Sequence, residues 1–272
     1  MPQVSSLWNK TTYLQDVRII RSSKITEYDI SQANITMLHN SGMIDENLLM
    51  YLKNLPKIDR EIYVGNMIRT DKRYYDAIAN GILNAKKEFF HKNQITDNEV
   101  IRVVNDAVFV NRTTPIYQTV FGNVEFRAKN AYTTFVRLSN LVVLFNPLDG
   151  INLSIDIVGM SDEVLELHKD YFLNFIIQIL YQIERAPIDS VLNTYNQFYQ
   201  SYINRELPIE YYREFNARSQ YRIQSINTIE SWTLPSFQDI KLVDIGFNAS
   251  ILRELYAAII DIWQRGNRGG LR

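Results

Sequence analysis

The feature that most restricts the fold is a pair of β-rich runs, EVIRVV (99–104) and AVFVNR (107–112), separated only by Asn105-Asp106. Valine, isoleucine and phenylalanine suit a pleated, half-buried surface, and two intervening residues allow only a tight turn. Such turns need positive φ, which Asn and Asp tolerate better than most residues. The pattern predicts an antiparallel hairpin with Asp106 at its tip.

The segments on either side extend this reading. VRIIRSSKITEYDI (17–30) holds two short β-like runs with a polar Ser-Ser-Lys break, and the second ends at Asp29. ISQANITMLHNSG then reads as a helix opened by Ser31 and closed by Gly42 at the C′ position. Asp29 is therefore expected at a strand-to-helix junction. Ile44 to Leu55 reads as another helix, and Pro56 restarts the chain before KIDREIYVGNMIR. Arg73 to His91 places Tyr74, Ile78, Ile82, Ala85 and Phe89 at the three- and four-residue spacing of an amphipathic helix.

Beyond the hairpin, VEFRAKNAYTTFVRL and NLVVLF read as further sheet as far as residue 146. A turn over Asn146 to Gly150 precedes the strand INLSIDIVG, and Ser161 to Glu184 reads as a helix with Ser161 as N-cap. DSVLNTYNQFYQSYINREL, IEYYREFNARSQYR and ASILRELYAAIIDIWQR are helical in pattern. The expectation is an α+β chain: an antiparallel sheet backed by helices in residues 1–160, then a mainly helical domain in 161–272.

Composition narrows the chemistry. At 272 residues and 46% hydrophobic the chain can bury a sizeable core. Twenty-nine Lys and Arg against 30 Asp and Glu give a net charge of -1, so a polyanionic partner has to be held by a local basic patch. There is no cysteine, which removes thiolate nucleophiles and thiolate-bound metals. His39, His91 and His168 have no i,i+4 partner, so any metal chemistry is expected from carboxylates. The start MPQVSSLWNK has no apolar signal region, and the apolar run Phe172 to Ile183, broken by Asn174 and Gln178, is too short for a bilayer span. A soluble, cytoplasmic protein with no membrane partner is expected.

If the strand of Asp29 lies beside the hairpin of Asp106, two carboxylates meet on one edge of a small sheet. Such a site suits Mg²⁺ or Mn²⁺, hard cations that combine one or two carboxylates with water and substrate phosphates. Metal ions held in this way support in-line nucleotidyl transfer.

On these residues the chain resembles the palm and thumb region of nucleic-acid polymerases, most closely the C-terminal part of the family B DNA polymerases. EYDISQANITML resembles motif A: a strand, Asp29, then a polar-small run entering a helix. EVIRVVNDAVFVNR resembles motif C, with Asp106-Ala107-Val108-Phe109-Val110 where that family has Asp-Ser-Val-Phe-Val. ANGILNAKKEFF matches the palm helix before motif C. RAKNAYTTF is similar to the basic Lys-Lys-Lys-Arg-Tyr segment, with Arg127, Lys129 and Tyr132 at the matching places, and INLSIDIVGM resembles a strand that ends in Lys-Gly, with Val158 replacing the lysine.

The resemblance implies a palm-like sheet followed by a thumb-like helical domain. It implies catalysis and metal binding by Asp29 and Asp106, with contacts to a nucleoside triphosphate from Lys57, Arg60, Arg69 and Lys72. It places Arg127, Lys129 and Tyr132 along a primer-template, with a partner subunit completing the fingers, in a host cell's cytoplasm. The Tyr-, Phe-, Asn- and Ile-rich composition is of the kind AT-rich genomes produce, including those of many phages.

The chain also departs from the pattern. Family B motif C carries two acids, and here Asn105 precedes Asp106. Motif B is only approximated by KIDREIYVGN, and the interval between the two aspartates is short, nearer to that of reverse transcriptases. Plainer readings stand beside these. Asp29 can be an acid favoured at a helix N-terminus, Asn105-Asp106 an ordinary turn, and the Arg127, Lys129 and Arg137 alternation a solvated sheet face. Tyr195, Phe198, Tyr199 and Tyr202 recur at helical spacing as a core would, or as bases on a thumb would require. Two functions of different class follow: a compact phage-type template-directed polymerase or polymerase subunit, or a catalytically inactive palm-fold subunit or nucleic-acid-binding protein of a replication or transcription assembly.

Overall fold

The computed structural model describes residues 12–13, 18–21, 23–138, 141–146, 153–157, 166, 168–212 and 242–269. Contacts divide the chain into two compact units, Met1–Val17 with Arg21–Thr133, and Arg18–Ile20 with Thr134–Arg272.

The first unit is built on an antiparallel sheet of six strands. These are β1 (Thr12–Tyr13), β3 (Ile25–Ile30), β4 (Val100–Val104), β5 (Ala107–Asn111), β6 (Val120–Phe121) and β7 (Val124–Tyr132), while β2 (Ile19–Ile20) belongs to the second unit. Their order is β1-β4-β5-β3-β7-β6, so β3 runs centrally between the hairpin and β7. Asn105 takes φ 45 at the hairpin tip, the positive value its two-residue turn demands.

Four helices pack with this sheet: α1 (Ala33–Asn40), α2 (Glu46–Asn54), α3 (Lys57–Thr70) and α4 (Lys72–Lys92). Strand parity selects which side chains they cover. Tyr28 and Ile30 of β3 join Val103, Val108 and Phe126 in a core with Leu38, Leu52, Ile82 and Phe89, and the rings of Phe89 and Phe126 stack at 4.2 Å. Glu27 and Asp29, at the alternate positions, lie on the other face. α1 can approach α4 because Gly81 has no side chain; a Cβ there would meet Met37 Sδ at 2.7 Å.

α1 begins at Ala33 rather than at Ser31. The Ser31 N–H donates to the Glu125 carbonyl at 2.8 Å, which prolongs strand pairing past Ile30, and Gln32 in the left-handed region (φ 51) turns the chain into the helix without a side-chain cap. Gly42 (φ +74) does close α1, with Met43 N–H bonded back to the Leu38 carbonyl at 2.9 Å. α2 is capped by Asp45, which accepts from Leu48 N–H at 2.8 Å, and Asp71 caps α4 through Arg73 N–H at 2.9 Å.

The stretch 124–138 is not one strand. β7 ends at Tyr132, and β8 (Thr134–Leu138) pairs instead with β2 and with β9 (Leu141–Phe145), itself paired with β10 (Leu153–Ile157). The contact division between the units falls at Thr134, where β8 leaves the first sheet to pair with β2 and β9.

The second unit, described by itself, joins the four-stranded sheet β10-β9-β8-β2 to α5 (Phe172–Arg185), α6 (Ile188–Ile203), a 3-10 helix (Ile209–Tyr212) and α7 (Leu242–Gly269). Its strands all precede residue 160, and the described residues of 161–272 form helices and turns, as expected. Its core draws Val136, Phe145, Ile176, Tyr195, Tyr202 and Leu255 together, with Phe175 stacked on Phe198 at 3.5 Å. Tyr195 donates to the Leu252 carbonyl at 2.7 Å, so Tyr195 and Tyr202 are interior residues and not free stacking platforms. A turn over Lys169–Tyr171 precedes α5. The expected turn at Pro147–Gly150, the Ser161 cap, Val158, and most of IEYYREFNARSQYR, including Arg213 and Arg218, lie outside the described residues.

Candidate functional site

Where β3 ends and the hairpin turns, the first unit opens a cleft of about 470 Å³. Five elements wall it: β3 with Asp29 and Ile30, the hairpin with Asp106, the entry to α1 with residues 31–35, α3 with Lys57, Arg60, Glu61 and Val64, and β7 with Arg127 to Lys129.

Sheet register sets the two carboxylates side by side. Asp29 is paired with Ala107, the residue after Asp106, and Ile30 N–H reaches the Asp106 carbonyl at 3.4 Å. Burial pushes the Asp29 carboxyl above its ordinary value, and the neighbouring Asp106 pushes it further, against the opposing pull of Lys129 and Lys57. A carboxyl whose ionisation is made costly by burial and by a neighbouring acid sits where a cation would lower that cost.

The flank opposite the hairpin carries positive charge. Asp29 faces Arg127 across β7, and one step earlier the register shifts so that both Lys129 and Asn130 oppose Glu27. This bulge re-aims the chain and brings Lys129 to the cleft wall together with Arg127, two positions apart. Glu27 anchors the bulge: its carboxylate, buried to 8% exposure, accepts from Asn130 Nδ2 at 2.7 Å and Tyr132 Oη at 3.3 Å and pairs with Lys129 Nζ at 3.5 Å. Arg127 is exposed and pairs with Glu125 at 2.8 Å. On the α3 side, Lys57 and Arg60 share the cleft with Glu61, which accepts from Asn34 Nδ2 at 3.4 Å.

Beneath the hairpin lies Lys86 of α4, 0% exposed. Its ammonium donates to the Asn105 carbonyl. Burial lowers its pKa to about 8, partly offset by the charge of Asp106.

The structure brings together Asp29, Asp106, Lys57, Arg60, Arg127 and Lys129, and leaves three expected residues out. Tyr132 is buried, 5% exposed, with its hydroxyl on Glu27, so it braces the bulge instead of facing a nucleic acid. Arg69 lies near the far end of α3, three turns past Lys57, and Lys72 starts the next helix, where it pairs with Asp76 at 3.8 Å. Neither lines the cleft.

Glu27, Glu61 and Lys86 were not anticipated. Glu27 carried a usable signal, since a residue two before Asp29 on a strand shares its face. Lys86 carried another: it falls four residues after Ile82 and three before Phe89, on the apolar stripe of α4. Glu61, 27 residues from its partner Asn34 in sequence, carried none.

Among the described residues no group of three or more His, Cys, Asp or Glu could hold a metal ion. The donor set that is present, two adjacent carboxylates opening on a cleft with cationic walls, fits Mg²⁺ or Mn²⁺, which completes its shell with water and substrate phosphate. Asp29 and Asp106 would hold it. No helix among the described residues is long and apolar enough to cross a membrane.

The family model described as Bacteriophage PBS1 gene 130 protein matches residues 3–251 of the chain. No curated protein matches it.

Proposed function

The chain belongs to the bacteriophage PBS1 gene 130 protein family, and we propose, from its cleft, that this phage protein is a compact template-directed nucleic-acid polymerase or polymerase subunit that carries out nucleotidyl transfer. The observation that carries this reading is the strand register that sets Asp29 beside the Asp106 hairpin at the mouth of a cationic cleft.

A bound divalent cation would supply charge neutralisation and activation of a hydroxyl nucleophile. The chain's own residues do the rest. Lys57 and Arg60 on α3 hold triphosphate oxygens. The first N–H groups of α1, which no side chain caps, point their dipole toward the same anion. Arg127 and Lys129 hold the phosphate backbone of the primer-template, and the bulge anchored by Glu27 keeps Lys129 in place. The host cell's cytoplasm is the setting this activity needs.

The test is primer extension by the purified chain on primed templates, with labelled ribo- or deoxyribonucleotides and Mn²⁺. Asp29→Asn and Asp106→Asn remove charge with almost no change in volume, so each should lower incorporation by a factor of about 10² or more while circular dichroism is unchanged. Incorporation at the wild-type level in both variants would refute the assignment.

One observation favours a second reading. Asn105 stands where a further acid would sit, and no third carboxylate joins the pair among the described residues. A non-catalytic palm-type subunit that binds nucleic acid fits this equally well, and fold alone does not decide between them. Calorimetry separates the two: a working site takes up Mn²⁺ in a triphosphate-dependent manner, and an inactive scaffold does not.

A further inference from the structure

We infer that Lys86 is a fixed counter-ion of Asp106, tying the hairpin tip to α4 and holding down the cleft's affinity for a divalent cation until a triphosphate adds its own negative charge. The inference rests on the proposed reading of the cleft as a nucleotide-transfer site.

Three observations carry it. Lys86 occupies a position that helical spacing reserves for an apolar residue, between Ile82 and Phe89, and is 0% exposed. A sealed ammonium is costly to bury, and leucine or methionine would fill the same stripe at no electrostatic cost. Its ammonium is bonded to the carbonyl of Asn105, the left-handed residue on which the hairpin turns. It also lies in the field of Asp106.

The β7 cations that line the cleft differ in kind. Arg127 is 65% exposed and Lys129 57%, so both are screened by water and salt and can swing away from an arriving ion. Lys86 is enclosed and cannot. A divalent cation entering beside Asp106 is repelled by the enclosed Lys86 at low local dielectric. The anionic triphosphate restores the balance, so that cation and nucleotide arrive together.

The experiment measures Mn²⁺ binding to the full chain at pH 7 by calorimetry, with and without a non-hydrolysable nucleoside triphosphate. Wild type, Lys86→Met, Lys86→Gln and Asp106→Asn are compared, together with the double variants at 86 and 106. Lys86→Met and Lys86→Gln should bind Mn²⁺ alone about tenfold more tightly than wild type and gain less from the triphosphate. In the Asp106→Asn background the same changes should have no effect. Lys86→Gln keeps a donor for the Asn105 carbonyl, so it reports on charge alone and also serves if Lys86→Met fails to fold. Asp106-dependent Mn²⁺ binding that is unchanged or weakened in both neutral variants overturns the counter-ion role and leaves the cleft reading standing. Mn²⁺ binding indifferent to Asp106 overturns both.

Discussion

Asp29 shows how a site residue can work against the fold that holds it. Its carboxyl is held above the ordinary aspartate value first by burial and then by Asp106. An acid with a raised folded-state pKa binds its proton more tightly when folded, so it adds stability below the unfolded-state value of 3.8 and loses it as pH rises through the folded-state pKa. At neutral pH without metal, Asp29→Asn should therefore be more stable than wild type, by less than about 1 kcal/mol given partial exposure. The two should converge toward pH 3. Urea melts at several pH values check this, and a variant less stable than wild type at pH 7 would contradict it. The cost is that of two carboxyl groups brought together with one of them partly buried.

Between elements, the cleft depends on how closely α1 lies against α4, since the first turn of α1 forms one wall. Gly81 sets that approach. A methyl group at this position would sit 2.7 to 2.9 Å from Sδ, Cβ and Cγ of Met37. Alanine should add up to about 1 kcal/mol of helix propensity, and overpacking a filled core costs typically 1–3 kcal/mol. Steric cost wins because Met37 Cβ, 2.8 Å away, is fixed by its backbone and cannot rotate out of the way. Gly81→Ala is expected to lower stability by about 1 kcal/mol or more, read from denaturant midpoints; a stabilised variant would show that the two helices can separate freely. The hairpin and the bulge act at the same scale. Asn105 at φ 45 presents Asp106, and the shift in register opposite Glu27 presents Lys129, so two local irregularities supply one acid and one base to the same opening.

Over the whole molecule a net charge of -1 means that any grip on a polyanion is local. With Arg127 and Lys129 as backbone contacts, single-stranded nucleic acid should bind with a log K against log salt slope of about −1.4, and Arg127→Ala should reduce its magnitude by about 0.7. Titrations between 50 and 200 mM salt measure both; a much steeper slope would mean that a larger basic surface takes part. Much of the architecture was legible before any coordinates. Residues that interact within a turn or a few positions write their structure into local pattern: the Val-rich runs around Asn105-Asp106, the stripe of α4, Gly42 after α1, and the parity that puts Glu27 on the face of Asp29. Even there Ser31 misled, because its N–H is claimed by Glu125 on a distant strand, and a local reading has no access to that partner. Long-range pairing decided the rest. Period-two alternation says which face a residue takes but not which strand lies beside it, so only the folded chain shows β3 between β5 and β7, the break at Thr133 that sends β8 to another sheet, and Tyr132 turned inward onto Glu27. The same holds for α3, whose arrival over the end of β3 brings Lys57 and Arg60 to the acids and leaves Arg69 behind. Side-chain chemistry is a property of the residue, whereas its company is set by contacts between segments remote in sequence, and those form only when the whole core closes.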